Sequence, residues 1–145
     1  MSRFHIHISV DDIDTNVQFY SAVFGTQPSV LKEDYAKWAL EDPKLNFAIS
    51  THAAKKGLDH VGLQAESDAE LAVIRARLEA AGIQGLAEEG TTCCYAQSDK
   101  YWVQDPQGLA WESFHSLGSA PVYGKRTEDP AAASCCTPKF GSSCC

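Results

Sequence analysis

Two short stretches decide the fold: Phe4-His-Ile-His-Ile-Ser-Val10 near the start and Asp59-His-Val-Gly-Leu-Gln64 near the middle. The first alternates and is rich in β-branched residues, the pattern of a strand, and the second also reads as a strand. A helix signal follows each. After the first, Asp11 or Asp12 can cap, and Ile13, Val17, Tyr20 and Phe24 recur at helical spacing up to Gly25. After the second, Ser67-Asp-Ala-Glu70 is a capping box, Leu71, Ile74 and Leu78 share one face, and Gly82 closes the helix. Strand-like pieces complete each half: 29–31, 35–40 and 45–49 in the first, then 83–88, 92–97, 100–104 and 109–114 in the second. The chain therefore reads as a βαβββ repeat, with one strand-like piece more in the second half.

The two copies align at both ends. His5-Ile-His-Ile lies against His60-Val-Gly-Leu. Matching Leu45 with Leu109 sets Phe47 opposite Trp111 and Ala48 opposite Glu112. The second copy is longer, and the extra residues are expected around Gly90-Thr-Thr-Cys-Cys. The predicted class is α+β: one module over 3–52, a second over 57–118, and curved mixed sheets with a concave face. Residues 119–145, rich in Gly, Ser, Pro, Ala and Cys, read as a flexible tail.

A chain of 145 residues suits one domain or two small modules sharing a core. A net charge of −7 makes it a poor general binder of nucleic acid or anionic lipid. No apolar run approaches the roughly 20 residues that cross a bilayer. The N-terminus has no signal-peptide core, so the cytoplasm is the expected compartment. All six cysteines occur as neighbours, 93–94, 135–136 and 144–145. A disulfide framework spreads its cysteines, whereas vicinal thiols suit a soft metal or metalloid.

His5 and His60 hold equivalent places in the repeat, so pseudo-twofold packing brings them together. Glu112 sits in an otherwise apolar strand, where a buried carboxylate needs a partner; a metal is a good one, and an edge-strand salt bridge is the alternative. Two imidazoles and one carboxylate make a set that holds one face of Fe(II) and leaves the other open. Mn, Ni, Co or Zn fit the same donors. Ala48, opposite Glu112 in the alignment, cannot supply a fourth ligand. His7 shares a face with His5 and is left unassigned between outer contact and alternative ligand. His52 and His115 are expected at the surface.

Cys93-Cys94 follows the polar run Glu88-Glu-Gly-Thr-Thr, so a loop or strand start beside the site is expected. Paired thiolates there can chelate trivalent arsenic or antimony, or Cd(II). The repeat with His5, His60 and Glu112 resembles the vicinal oxygen chelate superfamily, which includes glyoxalase I, extradiol dioxygenases and fosfomycin-resistance enzymes. The combination of Tyr35-Ala-Lys-Trp, Gly57-Leu-Asp-His-Val-Gly, Thr91-Thr-Cys-Cys-Tyr-Ala and Lys100-Tyr-Trp-Val-Gln-Asp-Pro is similar to the ArsI C–As lyases and the CadI cadmium-induced proteins.

That resemblance implies Fe(II) on His5, His60 and Glu112. It implies a trivalent organoarsenical on Cys93 and Cys94, and oxygen-dependent cleavage of the carbon–arsenic bond to release arsenite. The competing expectation is a CadI-like protein that binds cadmium or arsenite without turnover. Glyoxalase-type chemistry wants a fourth ligand from the first module, and Ala48 argues against it. Cys135, Cys136, Cys144 and Cys145 read either as metalloid capture or as incidental thiols. The site is expected within one subunit, with edge strands free to build a homodimer.

Overall fold

The computed structural model describes residues 2–124 and 137–138. The element order is β1 (Arg3–Ser9), α1 (Ile13–Phe24), β2 (Val30–Leu31), β3 (Tyr35–Glu41), β4 (Lys44–Ser50), β5 (Gly57–Ala65), α2 (Asp68–Ala80), β6 (Leu86–Cys93), β7 (Ala96–Gln104) and β8 (Ala110–Ser119). This is the βαβββ repeat. The eight strands form a single curled sheet in the order β2-β3-β4-β1-β5-β8-β7-β6. The modules join along antiparallel β1 and β5, while β1–β4 and β5–β8 are parallel.

Caps fix the helices where the sequence places them. Asp12 accepts from the Thr15 backbone N–H, and Gly25 ends α1 at a φ of 67°, where a side chain would be strained. Ser67 accepts from Glu70 N–H at 3.1 Å, but the Glu70 carboxylate reaches back to Glu66 N–H at 2.7 Å. Tyr20 and Phe24 of α1 pack on Trp38 and Phe47, within a core of Val10, Ile13, Ala36, Trp38, Phe47 and Ile49.

The second module departs from the expected pattern in one respect. Three expected pieces between 83 and 104 are two long strands, β6 and β7, so the extra length is a hairpin arm rather than a loop. Its partner β2–β3 in the first module is short on one side, with only two residues in β2. The chain after residue 118 also begins in order: β8 runs to Ser119, and Tyr123 is buried against Tyr35 and Ala48. Cys135, Cys136, Cys144 and Cys145 lie outside the described residues. Among the described residues, no helix is long and apolar enough to cross a membrane.

β1 is inverted relative to an ordinary half-buried strand. Its deeply buried residues are His5, His7 and Ser9, while Ile6 and Ile8 turn to the helix side and are only partly buried. The concave face is polar and enclosed, so every group on it needs a partner.

Register ties the repeat to the site. β5 pairs with β8 so that Gly62 faces Glu112, and β1 pairs with β4 so that His7 faces Ala48. Glu112 thus lies beside the second residue past His60, and Ala48 beside the second residue past His5. A Cβ on Gly62 would lie 1.8 Å from the Glu112 carbonyl oxygen. Only glycine lets β5 approach β8 here. Gly62→Ala is therefore expected to lower stability by at least about 3 kcal/mol, whereas Gly118→Ala, with open space around it, should be near neutral. Denaturant unfolding of the two variants checks this.

Candidate metal centre

His5 comes from β1, His60 from β5 and Glu112 from β8, three neighbouring strands. Their donor atoms converge. His5 Nε2 lies 3.1 Å from His60 Nε2, and Glu112 Oε2 lies 3.5 Å from the first and 3.2 Å from the second. All three residues are buried.

The far side of each ring decides its tautomer. His5 Nδ1 faces the Asn46 carbonyl oxygen at 3.0 Å, and His60 Nδ1 faces the Asp59 carboxylate at 2.6 Å. Both partners only accept, so both Nδ1 atoms carry hydrogen. In neutral rings the two Nε2 lone pairs then point at each other and at a carboxylate oxygen. Three acceptors with no proton between them call for a cation. Three donors bound at about 2.1 Å would lie about 3.0 Å apart on an octahedral face and about 3.4 Å apart in a tetrahedron. The observed separations suit one coordination sphere, so the residues present fit a divalent ion.

The electrostatics match that demand. Burial drives the His5 pKa down to about 4, against the pull of Glu112. Burial opposes charge on His60 too, but Asp59 and Glu112 raise its pKa. Burial alone would raise the pKa of Glu112; Lys100 and His60 hold it well below the usual carboxylate range. Lys100 is itself buried and makes a short ion pair with Glu112 Oε1, which leaves Oε2 to face the imidazoles.

His7 also enters this region. His5, His7 and His60 offer ring nitrogens within 4.8 Å of one another. This grouping is looser than the one with Glu112, and His7 Nε2 is engaged with Ser50 Oγ at 2.8 Å. Its buried Nδ1 has no hydrogen-bond partner among the described residues.

The thiol pair is brought to the same place. Cys93 ends β6, and Cys94 and Tyr95 form the two-residue turn into β7, with φ of 57° and 58°. Such turns usually take Asn-Gly, because two side chains in the left-handed region are strained. Here the turn sets the two sulfurs 3.1 Å apart instead of on opposite faces. A cavity of about 40 Å³ is lined by Cys93, Cys94, His5, Glu112, Lys100 and Tyr35, among others. That is near the volume of one water, so the space beside the donors is small. Cys93 is held in a disulfide, and Cys94 is the free cysteine among the described residues. Burial pushes the Cys94 thiol up to about 12.

Sequence reasoning missed Asp59, Lys100 and Tyr123. It also placed His52 at the surface, whereas His52 bonds Asp34 at 2.6 Å and stacks on Tyr123 at 3.7 Å. His115 turns away from the site, to Asp68 of α2.

Residues 3–113 match the Glyoxalase/Bleomycin resistance protein/Dioxygenase superfamily. The chain belongs to that superfamily. Across its whole length it is 36% identical to a trivalent organoarsenical cleaving enzyme of Bacillus sp. strain MD1, over 99% of that protein. It is 35% identical to the cadmium-induced protein CadI of Mycobacterium bovis, over 94% of this chain and 93% of that one. In fold it is similar to the Mn(II)-bound glyoxalase of Novosphingobium aromaticivorans, with a TM-score of 0.58 and 21% identity over 90% of this chain and 44% of the other.

The depressed His5 value has a measurable sign. A group that folds with a lowered pKa stabilises above its unfolded value, here 6.5, and loses that contribution as pH falls through its folded value, about 4. The metal-free protein should therefore lose about 3 kcal/mol from His5 alone across that window, with His60 acting in the opposite sense. His5→Gln should flatten the fall in unfolding free energy between pH 6.5 and 4, read by denaturant titration at each pH.

Proposed function

We propose that this protein is an iron-dependent lyase that cleaves the carbon–arsenic bond of trivalent organoarsenicals, such as methylarsenite or reduced aromatic arsenicals, to arsenite with O₂. The observation that carries the reading is the shared cavity: the strained Cys93-Cys94 turn and the donors His5 and Glu112 line one space. A metalloid on the two sulfurs would have its carbon substituent next to the ion's open side, and holding reactants in one complex removes much of the entropic cost of meeting. The relatives named for organoarsenical cleavage support the substrate class.

His5, His60 and Glu112 would hold Fe(II), which supplies the redox chemistry toward dioxygen. Lys100 fixes Glu112 so that one oxygen serves the ion. The turn from Cys93 to Tyr95 borders the cavity and would shift to admit a molecule larger than it. Cys93 acts only as a thiol, so its disulfide has to be reduced first. The buried Cys94 thiol is protonated at neutral pH and gives up its proton as a soft ligand binds. Each thiol proton leaves as water with a hydroxide of the arsenical, so arsenical affinity should change little with pH near neutrality, whereas Cd(II) binding releases protons and should strengthen as pH rises. The proposed protein works in the cytoplasm, on a small molecule.

Purified protein, Fe(II), a thiol reductant and methylarsenite are incubated with and without oxygen, and the arsenic is speciated. Inorganic arsenite is expected in the aerobic tube alone. Cys93→Ser and Cys94→Ser should each reduce turnover by at least about 100-fold while Fe(II) stays bound. Intact methylarsenite in both tubes overturns the lyase reading. If that result comes with stoichiometric Cd(II) binding, it favours a protein that binds cadmium or arsenite without turnover.

A further inference from the structure

Adjacent residues in a regular strand point to opposite faces, yet Asp59 reaches the ring of its own neighbour. The register explains how. His7 pairs with His60 and Ile8 pairs with Leu58, so Asp59 is the extra residue of a β-bulge. Bulges re-aim side chains, often beside active sites. Here the bulge turns the Asp59 carboxylate onto His60 Nδ1, 2.6 Å away.

Asp59 is in turn held from a distant part of the chain. The Thr137 hydroxyl donates to Asp59 Oδ2 at 2.7 Å and also lies 3.1 Å from His60 Nδ1. Pro138 beside it is buried. A short C-terminal stretch is thus seated directly behind an imidazole of the candidate centre. A carboxylate on the outer nitrogen of a metal-binding histidine fixes its tautomer and raises its basicity. A hydroxyl on that carboxylate fixes the carboxylate.

We propose that Thr137 and Asp59 are positioning residues, and that the C-terminal docking site at Thr137–Pro138 sets the affinity of the centre for its cation by orienting His60. This rests on the metal-binding part of the function proposed above and not on the arsenic chemistry. It makes Thr137 part of the support of the metal centre.

The full-length protein, metal-free and reduced, is titrated with Co(II) and followed by its visible d–d absorption. Loss of an outer partner typically weakens metal binding 10–100-fold. Asp59→Asn should fall in that range and Thr137→Val near its lower end, with altered Co(II) spectra. Thr137→Ser keeps the hydroxyl and should bind like wild type, a rescue that a merely space-filling role would not predict. Thermal unfolding of the metal-free variants separates lost affinity from lost folding. Should Asp59→Asn misfold, the Thr137 pair still decides. If wild type binds Co(II) and Thr137→Val binds within twofold of it, this inference alone is overturned. A wild-type protein that takes up no Co(II) overturns the metal-binding reading and this inference with it.

Discussion

Two imidazoles are each pinned from behind by an acceptor, so that their free lone pairs collide in front of a carboxylate. The rest of the molecule is arranged around that constraint. The Asn46 carbonyl holds one ring and Asp59 holds the other, and Lys100 occupies the remaining oxygen of Glu112. Without a divalent ion, a proton resting on His60 between Asp59 and Glu112 is the available substitute, which accounts for the raised pKa of that ring. The cost of burying so many polar groups is met by pairing nearly all of them. The exceptions among the described residues include Nδ1 of His7 and Oδ1 of Asn46, both beside the centre.

The histidines and the glutamate were legible in the sequence because a repeat supplies its own frame. Once His5 and His60 are equivalent, Ala48 and Glu112 follow, and the register of β1–β4 against β5–β8 reproduces that correspondence. Period-two reasoning failed where the backbone breaks its period. Asp59 lies on a bulge, and Cys94 and Tyr95 sit in a left-handed turn. In both places neighbouring side chains share a side that alternation would deny them. Lys100 was hidden differently: a lysine in a strand ordinarily reads as solvated, and nothing local shows that its partner lies across the β7–β8 pairing. Tyr123 and Thr137 were hidden by composition, since a stretch of Gly, Ser, Pro and Ala carries no periodic signal for a docking residue.

The site sits on rigid elements and is bordered by a strained one. Its donors come from the three adjacent strands nearest the module junction, each paired on both sides. The sulfurs come from the tip of the hairpin arm at the sheet's edge, where two non-glycine residues occupy a conformation costing roughly 1–3 kcal/mol each. Stability is concentrated where geometry must be fixed. It is given up at the turn that brings the two sulfurs together.

The vacancy left by Ala48 has an occupant. Ala48 clusters with Tyr35 and Tyr123, and Cys94 and Tyr95 pack against that same group. The elongated arm of the second repeat therefore reaches across the junction and roofs the pocket that a fourth donor from the first repeat would have filled. Two departures from internal symmetry, a shortened side chain in one half and a lengthened arm in the other, are complementary shapes. A carboxylate placed at Ala48 would therefore compete with the arm for the same space.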